Sequence, residues 1–90
     1  VTLTTVVNLK REPYDVYIGR GSMWGNPFKM ESEADRERVI QAYKEYLKKA
    51  ITLGEISILD LKTLKGKRLG CYCKPKACHG DILAAIANLI

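Results

Sequence analysis

"KRLGCYCKPKACHGDILAAIANLI", residues 67–90, decides the fold. It opens on a short strand, "KRLGCYC" (67–73), in which Leu69, Cys71 and Cys73 share one face and Arg68, Gly70 and Tyr72 the other. A loop containing Pro75 follows. Asp81 then introduces a helical repeat that buries Ile82, Leu83, Ile86 and Leu89 or Ile90. A strand that arrives after helical sequence and is followed by a helix pairs most readily in parallel with an earlier strand.

The upstream chain supplies those partners. "TLTTVVNL" (2–9) is β-branched and reads as a strand. "KREP" is a turn, and "YDVYIGR" (14–20) alternates as a second strand. Ser32 is a natural N-cap for the main helix, with Asp35 three positions on. Acidic Glu33, Asp35 and Glu37 lie near its start and Lys48 and Lys49 near its end, as the helix dipole favours. Val39, Tyr43, Tyr46, Leu47 and Ala50 form its apolar stripe, and Gly54 stops it. Ser57 caps a shorter helix that turns Leu61 and Leu64 inward and ends at Gly66. The expectation is one α/β domain, residues 1–90. A small three-stranded, partly parallel sheet carries packed helices in the order β-β-α-α(short)-β-α. The alternative is an α+β arrangement in which the first two strands pair as a hairpin.

Ninety residues hold one small core, and a hydrophobic content of 47% excludes a disordered chain. The apolar run "ILAAIANLI" is short and contains Asn88, so no membrane span is expected. "VTLTTVVNLKRE" lacks the pattern of a signal peptide, and a cytoplasmic protein is expected. The net charge is +5, and Lys62, Lys65, Lys67, Arg68, Lys74 and Lys76 fall between Leu61 and Gly80 without one acid. Such a segment favours an anionic partner: a nucleotide, another anionic small molecule or a nucleic acid. Composition leaves the oligomeric state open.

Three cysteines and the sole histidine lie within residues 71–79. An odd count does not suit a disulfide framework and points to thiol or metal chemistry. One reading is a ligand or catalytic site at a strand–loop–helix junction, needing no cofactor. Cys71 or Cys73 would end the strand, and amides at the helix start would favour a Cys78 thiolate and an anion, with Lys74 and Gly80 beside it. His79 would be the acid/base and Asp81 its orienting carboxylate. A second reading is a zinc site of Cys71, Cys73, Cys78 and His79, stapling a non-enzymatic module that binds nucleic acid or protein. Its crowding into nine residues differs from the separated pairs of structural zinc sites. In a third, the cysteines pack and Asp81 caps the helix.

The loop "GRGSMWGNPF" (19–28) is the other concentration of chemistry. Arg20 suits a phosphate or carboxylate, Gly21 and Gly25 allow tight turns and close backbone approach, and Ser22 and Asn26 offer polar contacts. Trp24 suits stacking on a base or sugar, or else it plugs the core with Phe28.

"RGSMWGNPF", the helix "RERVIQAYKEYL" and "LKGKRLGCYCKPKACHGDILA" together resemble an uncharacterised phage and bacterial family, the domain-of-unknown-function family 4326. The resemblance runs from Val6 to Leu89. It implies that Arg20, Gly21, Ser22, Trp24, Gly25, Asn26, Pro27 and Phe28 form one family motif, and Cys71, Cys73, Cys78, His79, Gly80 and Asp81 the other. It implies no reaction, and for a phage-encoded chain it implies the host cytoplasm. The combined expectation is a basic Cys/His pocket walled by the two loops, binding an anionic ligand. Any reaction would be hydrolysis or group transfer, with Arg20 and Asn26 holding the substrate.

Overall fold

The strand expected at residues 67–73 is the middle of the sheet. A computed structural model of the chain describes residues 2–90. Its strands are β1 (Thr5–Asn8), β2 (Val16–Tyr17) and β3 (Arg68–Cys71), and its α-helices are α1 (Arg36–Thr52), α2 (Ile58–Lys62) and α3 (His79–Leu89). The order is the expected one, and the architecture is α/β.

The strands run β1-β3-β2 across the sheet. Val6 lies opposite Leu69, and Asn8 opposite Cys71; on the other side Val16 meets Leu69 and Tyr17 meets Gly70. Both pairings are parallel, so the sheet is parallel throughout. The hairpin alternative is excluded, because β1 and β2 flank β3 and do not pair with each other. The physical reason lies in β3: Leu69, Gly70 and Cys71 are all buried, and a strand buried on both faces belongs in the centre. β1 and β2 carry partly exposed residues, and both are shorter than the sequence suggests.

α3 packs on β1 and β3 and touches α1 and α2. Gly80 makes the approach possible, since a Cβ there would come within 2.6 Å of Ile18 Cδ1 and 3.1 Å of Val6 Cγ1. The core joins Ile18 and Leu69 from the sheet side to Tyr43 and Leu47 of α1, Leu61 beside Leu64, and Leu83 of α3. A polar clamp closes the far end: Asn88 accepts from the Thr4 amide at 2.8 Å and donates to the Thr4 carbonyl at 3.1 Å. Thr4, itself buried, donates its hydroxyl to the Leu64 carbonyl.

Helix boundaries adjust the sequence reading. Ser32 precedes a 3-10 turn (Glu33–Asp35), and its side chain makes no capping bond. α1 begins afterwards, at Arg36. Asp35 instead accepts from the Glu31 amide, which bends the chain before the helix. Ser57 does cap α2: its hydroxyl accepts from the Asp60 amide, while Asp60 accepts from the Ser57 amide. Among the described residues no helix is long and apolar enough to cross a membrane.

Candidate functional site

The parallel sheet sets the place of the site. β2 and β3 end at Tyr17 and Cys71, and the chain after each end turns into one of the two motif loops. The loops face each other across a cleft of about 340 Å³. Arg20, Asn26 and Phe28 line it from the first loop, and Tyr72, Cys73, Cys78 and His79 from the second. Tyr17, Met30, Arg36, Val39 and Ile40 complete the walls.

The first loop is built from its own polar groups. Ser22 donates its hydroxyl to the Gly19 carbonyl at 2.7 Å, and the Tyr17 hydroxyl donates to the Arg20 carbonyl at 3.0 Å. Gly25 packs on backbone: a Cβ would lie 2.8 Å from the Gly19 carbonyl oxygen and 3.3 Å from Arg20 Cα. Asn26 donates to the Val39 carbonyl of α1 and accepts from the Phe28 amide. Trp24 is 5% exposed and lies in the core. The structure distinguishes among the sequence readings here. Trp24 is a core residue with no face free for stacking. Ser22 and Asn26 have loop-building partners, and Gly25 serves a close backbone approach. Gly21 and Ser22 face a shallow neighbouring depression that shares only Arg20 and Asn26 with the cleft.

The second loop is pinned at both ends. Asn8, at the end of β1, donates to the Lys74 carbonyl at 2.7 Å, and Arg36 donates to the Ala77 carbonyl at 2.8 Å. Its cations are largely occupied. Lys74 pairs with Asp81 at 3.0 Å and Lys76 with Glu33 at 3.0 Å. Arg36 also binds Glu33, and the two cations hold the Glu33 carboxyl down to about 2. Lys74 does not line the cleft. Among the described residues, Arg20 is the cleft cation that forms no ion pair.

The start of α3 differs from the expected anion site. Asp81 accepts from the Cys78 amide at 3.1 Å, so it caps the helix and pairs with Lys74. It makes no hydrogen bond to His79. The Gly80 amide acts to lower the pKa of Cys78, but the Cys71 contact and burial outweigh it and raise it. With the Cys78 amide engaged and the Asp81 carboxylate beside it, the helix start offers an anion less than its position suggests. Gly80 itself is buried packing.

His79 Nε2 lies 2.7 Å from the Ile18 carbonyl, which only accepts, so Nε2 carries the proton. The ring edge packs on Tyr43, with centroids 4.9 Å apart. Burial lowers the pKa of His79 below the ordinary 6.5, and the nearby Arg20 pushes the same way. The Ile18 bond, Cys71 and Asp81 oppose it. The sign of the pH effect follows. The unfolded chain takes up a proton near pH 6.5, whereas the folded His79 resists it to lower pH. Stability from this group is therefore complete above about pH 6.5 and declines as pH falls through the folded value. Urea unfolding of the wild type is expected to show a lower midpoint at about pH 5.5 than at about pH 7.5, and His79→Gln to reduce that difference, the lowered pKa of Cys71 supplying a further part of the same sign. An equal drop in the variant would assign the effect to other groups.

Cys71 and Cys78 are buried, with their sulfurs 3.2 Å apart. The Cys78 thiol bonded to Cys71 lowers the pKa of Cys71, against the effect of burial, with help from the Cys73 and Lys74 amides. The same bond and burial raise that of Cys78. Cys73 is half-buried on the cleft wall. No group of three or more His, Cys, Asp or Glu side chains among the described residues converges as a metal site requires. The bond from His79 Nε2 to the Ile18 carbonyl leaves Nδ1 as the free ring nitrogen.

Tyr17, Arg36 and Tyr72 were missing from the sequence reading of the pocket. Tyr72 alternates with Cys71 along the strand register, and strand period alone does not show that the chain turns at Cys71. Arg36 had a usable signal, lying one helical turn before Val39 and Ile40 on the same helix face.

The family described as Domain of unknown function (DUF4326) matches residues 1–89, nearly the whole chain. The chain belongs to this family. An uncharacterized 12.4 kDa protein from the nrdA-td intergenic region of Enterobacteria phage T4 is 45% identical over 86 residues, covering 96% of this chain and 79% of the phage protein. The uncharacterized protein R718 of Acanthamoeba polyphaga mimivirus is 28% identical over 114 residues, covering the whole chain and 84% of that protein. No solved structure matches. The cleft of this DUF4326 domain is thus where its two loops meet.

Proposed function

We propose that this DUF4326 domain binds a small anionic molecule of the nucleotide class in the cleft between its two motif loops. The carrying observation is Arg20, a cation without an ion-pair partner among the described residues, on a cleft whose walls include Tyr17, Phe28 and Tyr72. A flat base suits aromatic walls, and a phosphate suits a guanidinium. A volume of about 340 Å³ is at the small end of ligand pockets, suited to one nucleotide. Its position beyond the carboxyl ends of parallel strands is where open α/β sheets take ligands.

Binding is better supported than turnover. The lone pair on His79 Nδ1 and the Cys73 thiol are the groups available for hydrolysis or group transfer. His79 has no orienting carboxylate, because Asp81 is committed to the helix cap. The test is calorimetric titration of the purified protein with the ribonucleoside monophosphates and with their unphosphorylated nucleosides. At least one monophosphate is expected to bind, about tenfold or more tighter than its nucleoside. Absence of binding by every nucleotide at millimolar concentration would overturn the reading.

A further inference from the structure

We propose that Cys71 and Cys78 form a reversible dithiol–disulfide pair, a redox modification site at the base of the cleft. The two sulfurs are 3.2 Å apart and both residues are 2% exposed. Each is held by a regular element. Cys71 is the last residue of β3, in register with Asn8, and Cys78 is the N-cap of α3, which packs on β3. The contact is therefore a product of the fold rather than of two mobile side chains. Cys73 is the odd thiol: it follows the strand, is half-buried, and sits two residues from Cys71, a spacing that disulfide geometry disfavours.

The pair is also chemically asymmetric. The Cys78 thiol beside it and the nearby amides of Cys73 and Lys74 lower the pKa of Cys71, which favours its thiolate. Cys78 keeps its proton. Cys78 lines the cleft and the Cys71 sulfur lies 3.2 Å behind it, so the cleft is the side from which a small oxidant would approach the pair. With hydrogen peroxide, the Cys71 thiolate attacks one oxygen, the O–O bond breaks, and a sulfenic acid and hydroxide form. Hydroxide takes the Cys78 proton and becomes water. The Cys78 sulfur then attacks Cys71, the S–S bond forms, the S–O bond breaks and a second hydroxide leaves to be protonated by solvent. The sulfur pair loses two electrons and the peroxide is reduced to water. An external dithiol reverses the change.

The bond would close the chain from β3 to α3 around residues 72–77, which supply Tyr72, Cys73 and Ala77 to the cleft wall. The chemistry does not depend on what the cleft binds, so its test needs no ligand.

The test treats Cys73→Ser and wild-type protein with hydrogen peroxide, then maps them by intact mass and by peptides after alkylation. Cys73→Ser is expected to lose two hydrogens and both thiols without forming a disulfide between chains, and to recover both thiols with dithiothreitol. Wild type is expected to give a peptide linking Cys71 to Cys78 while Cys73 stays open to alkylation. Cys78→Ser is expected to trap the Cys71 sulfenic acid, seen as a dimedone adduct. Two free thiols persisting in oxidised Cys73→Ser, or a wild-type link that involves Cys73, would overturn the proposal. The wild-type map stands on its own if a serine variant fails to fold.

Discussion

Tyr43→Ala is expected to cost about 3–5 kcal/mol, the range for deleting a buried aromatic side chain. A domain of this length has about 5–13 kcal/mol in total, so the variant will lie near the edge of folding. Tyr43 is fully buried in α1 and joins three parts of the molecule. Its hydroxyl donates to the Trp24 carbonyl at 2.8 Å, which ties the first motif loop to the helix. Its ring meets the His79 edge, which ties the helix to the second motif loop. It also lies 5.9 Å from the Tyr46 ring, centroid to centroid. Tyr43→Phe separates these roles. It keeps the ring and leaves the buried Trp24 carbonyl short of a donor, for an expected loss of about 1–2 kcal/mol. Urea unfolding followed by the fluorescence of Trp24, the single tryptophan, measures both. An alanine variant within about 1 kcal/mol of wild type would mean that Tyr43 does not connect the loops.

The same residue shows how far a sequence can be read. Tyr43 was legible as a core position because it recurs at helical spacing with Val39, Leu47 and Ala50, and all four are buried. β3 and α3 were legible because strand period gives way to helical period within one short segment. The parallel pairing of all three strands was less legible, since β2 has two residues and its side chains alternate just as a hairpin's would. Trp24 reads equally well as a stacking platform or a core plug, and its long-range burial against α1 decides for the plug. Lys76 of the second loop reads as an unpaired cation because Glu33, far away in sequence, supplies no local signal. The 3.0 Å pair between Lys76 and Glu33 exists only once α1 packs beside the loop. Both motifs were found from residue types, and the division of labour inside them was not. Hydrogen bonds such as Asn26 to Val39 depend on which backbone carbonyls the fold brings near.

Arg20→Ala is the expected loss with the greatest consequence for function. If a monophosphate binds in the cleft, removing this guanidinium should weaken it by about tenfold or more, ~1.4 kcal/mol, a conservative share of a charged hydrogen bond at an exposed position. Stability should barely change. Arg20 makes no ion pair among the described residues, and its backbone carbonyl still accepts from the Tyr17 hydroxyl whatever the side chain. Arg20→Lys keeps the charge but loses the two-pronged geometry, so an intermediate affinity is expected. The salt dependence separates the charge from the shape of the pocket. Wild-type affinity should fall as salt rises, and that of Arg20→Ala should fall less, because its main phosphate partner is gone. Arg36→Ala is the informative contrast. It removes a cation from the same cleft, but one already bonded to Glu33 and to the Ala77 carbonyl, so it should loosen the second loop and lower stability as well as affinity. If Arg20→Ala binds as tightly as wild type while Arg36→Ala does not, the anion contacts Arg36 instead, and the guanidinium free of partners is not the recognition group.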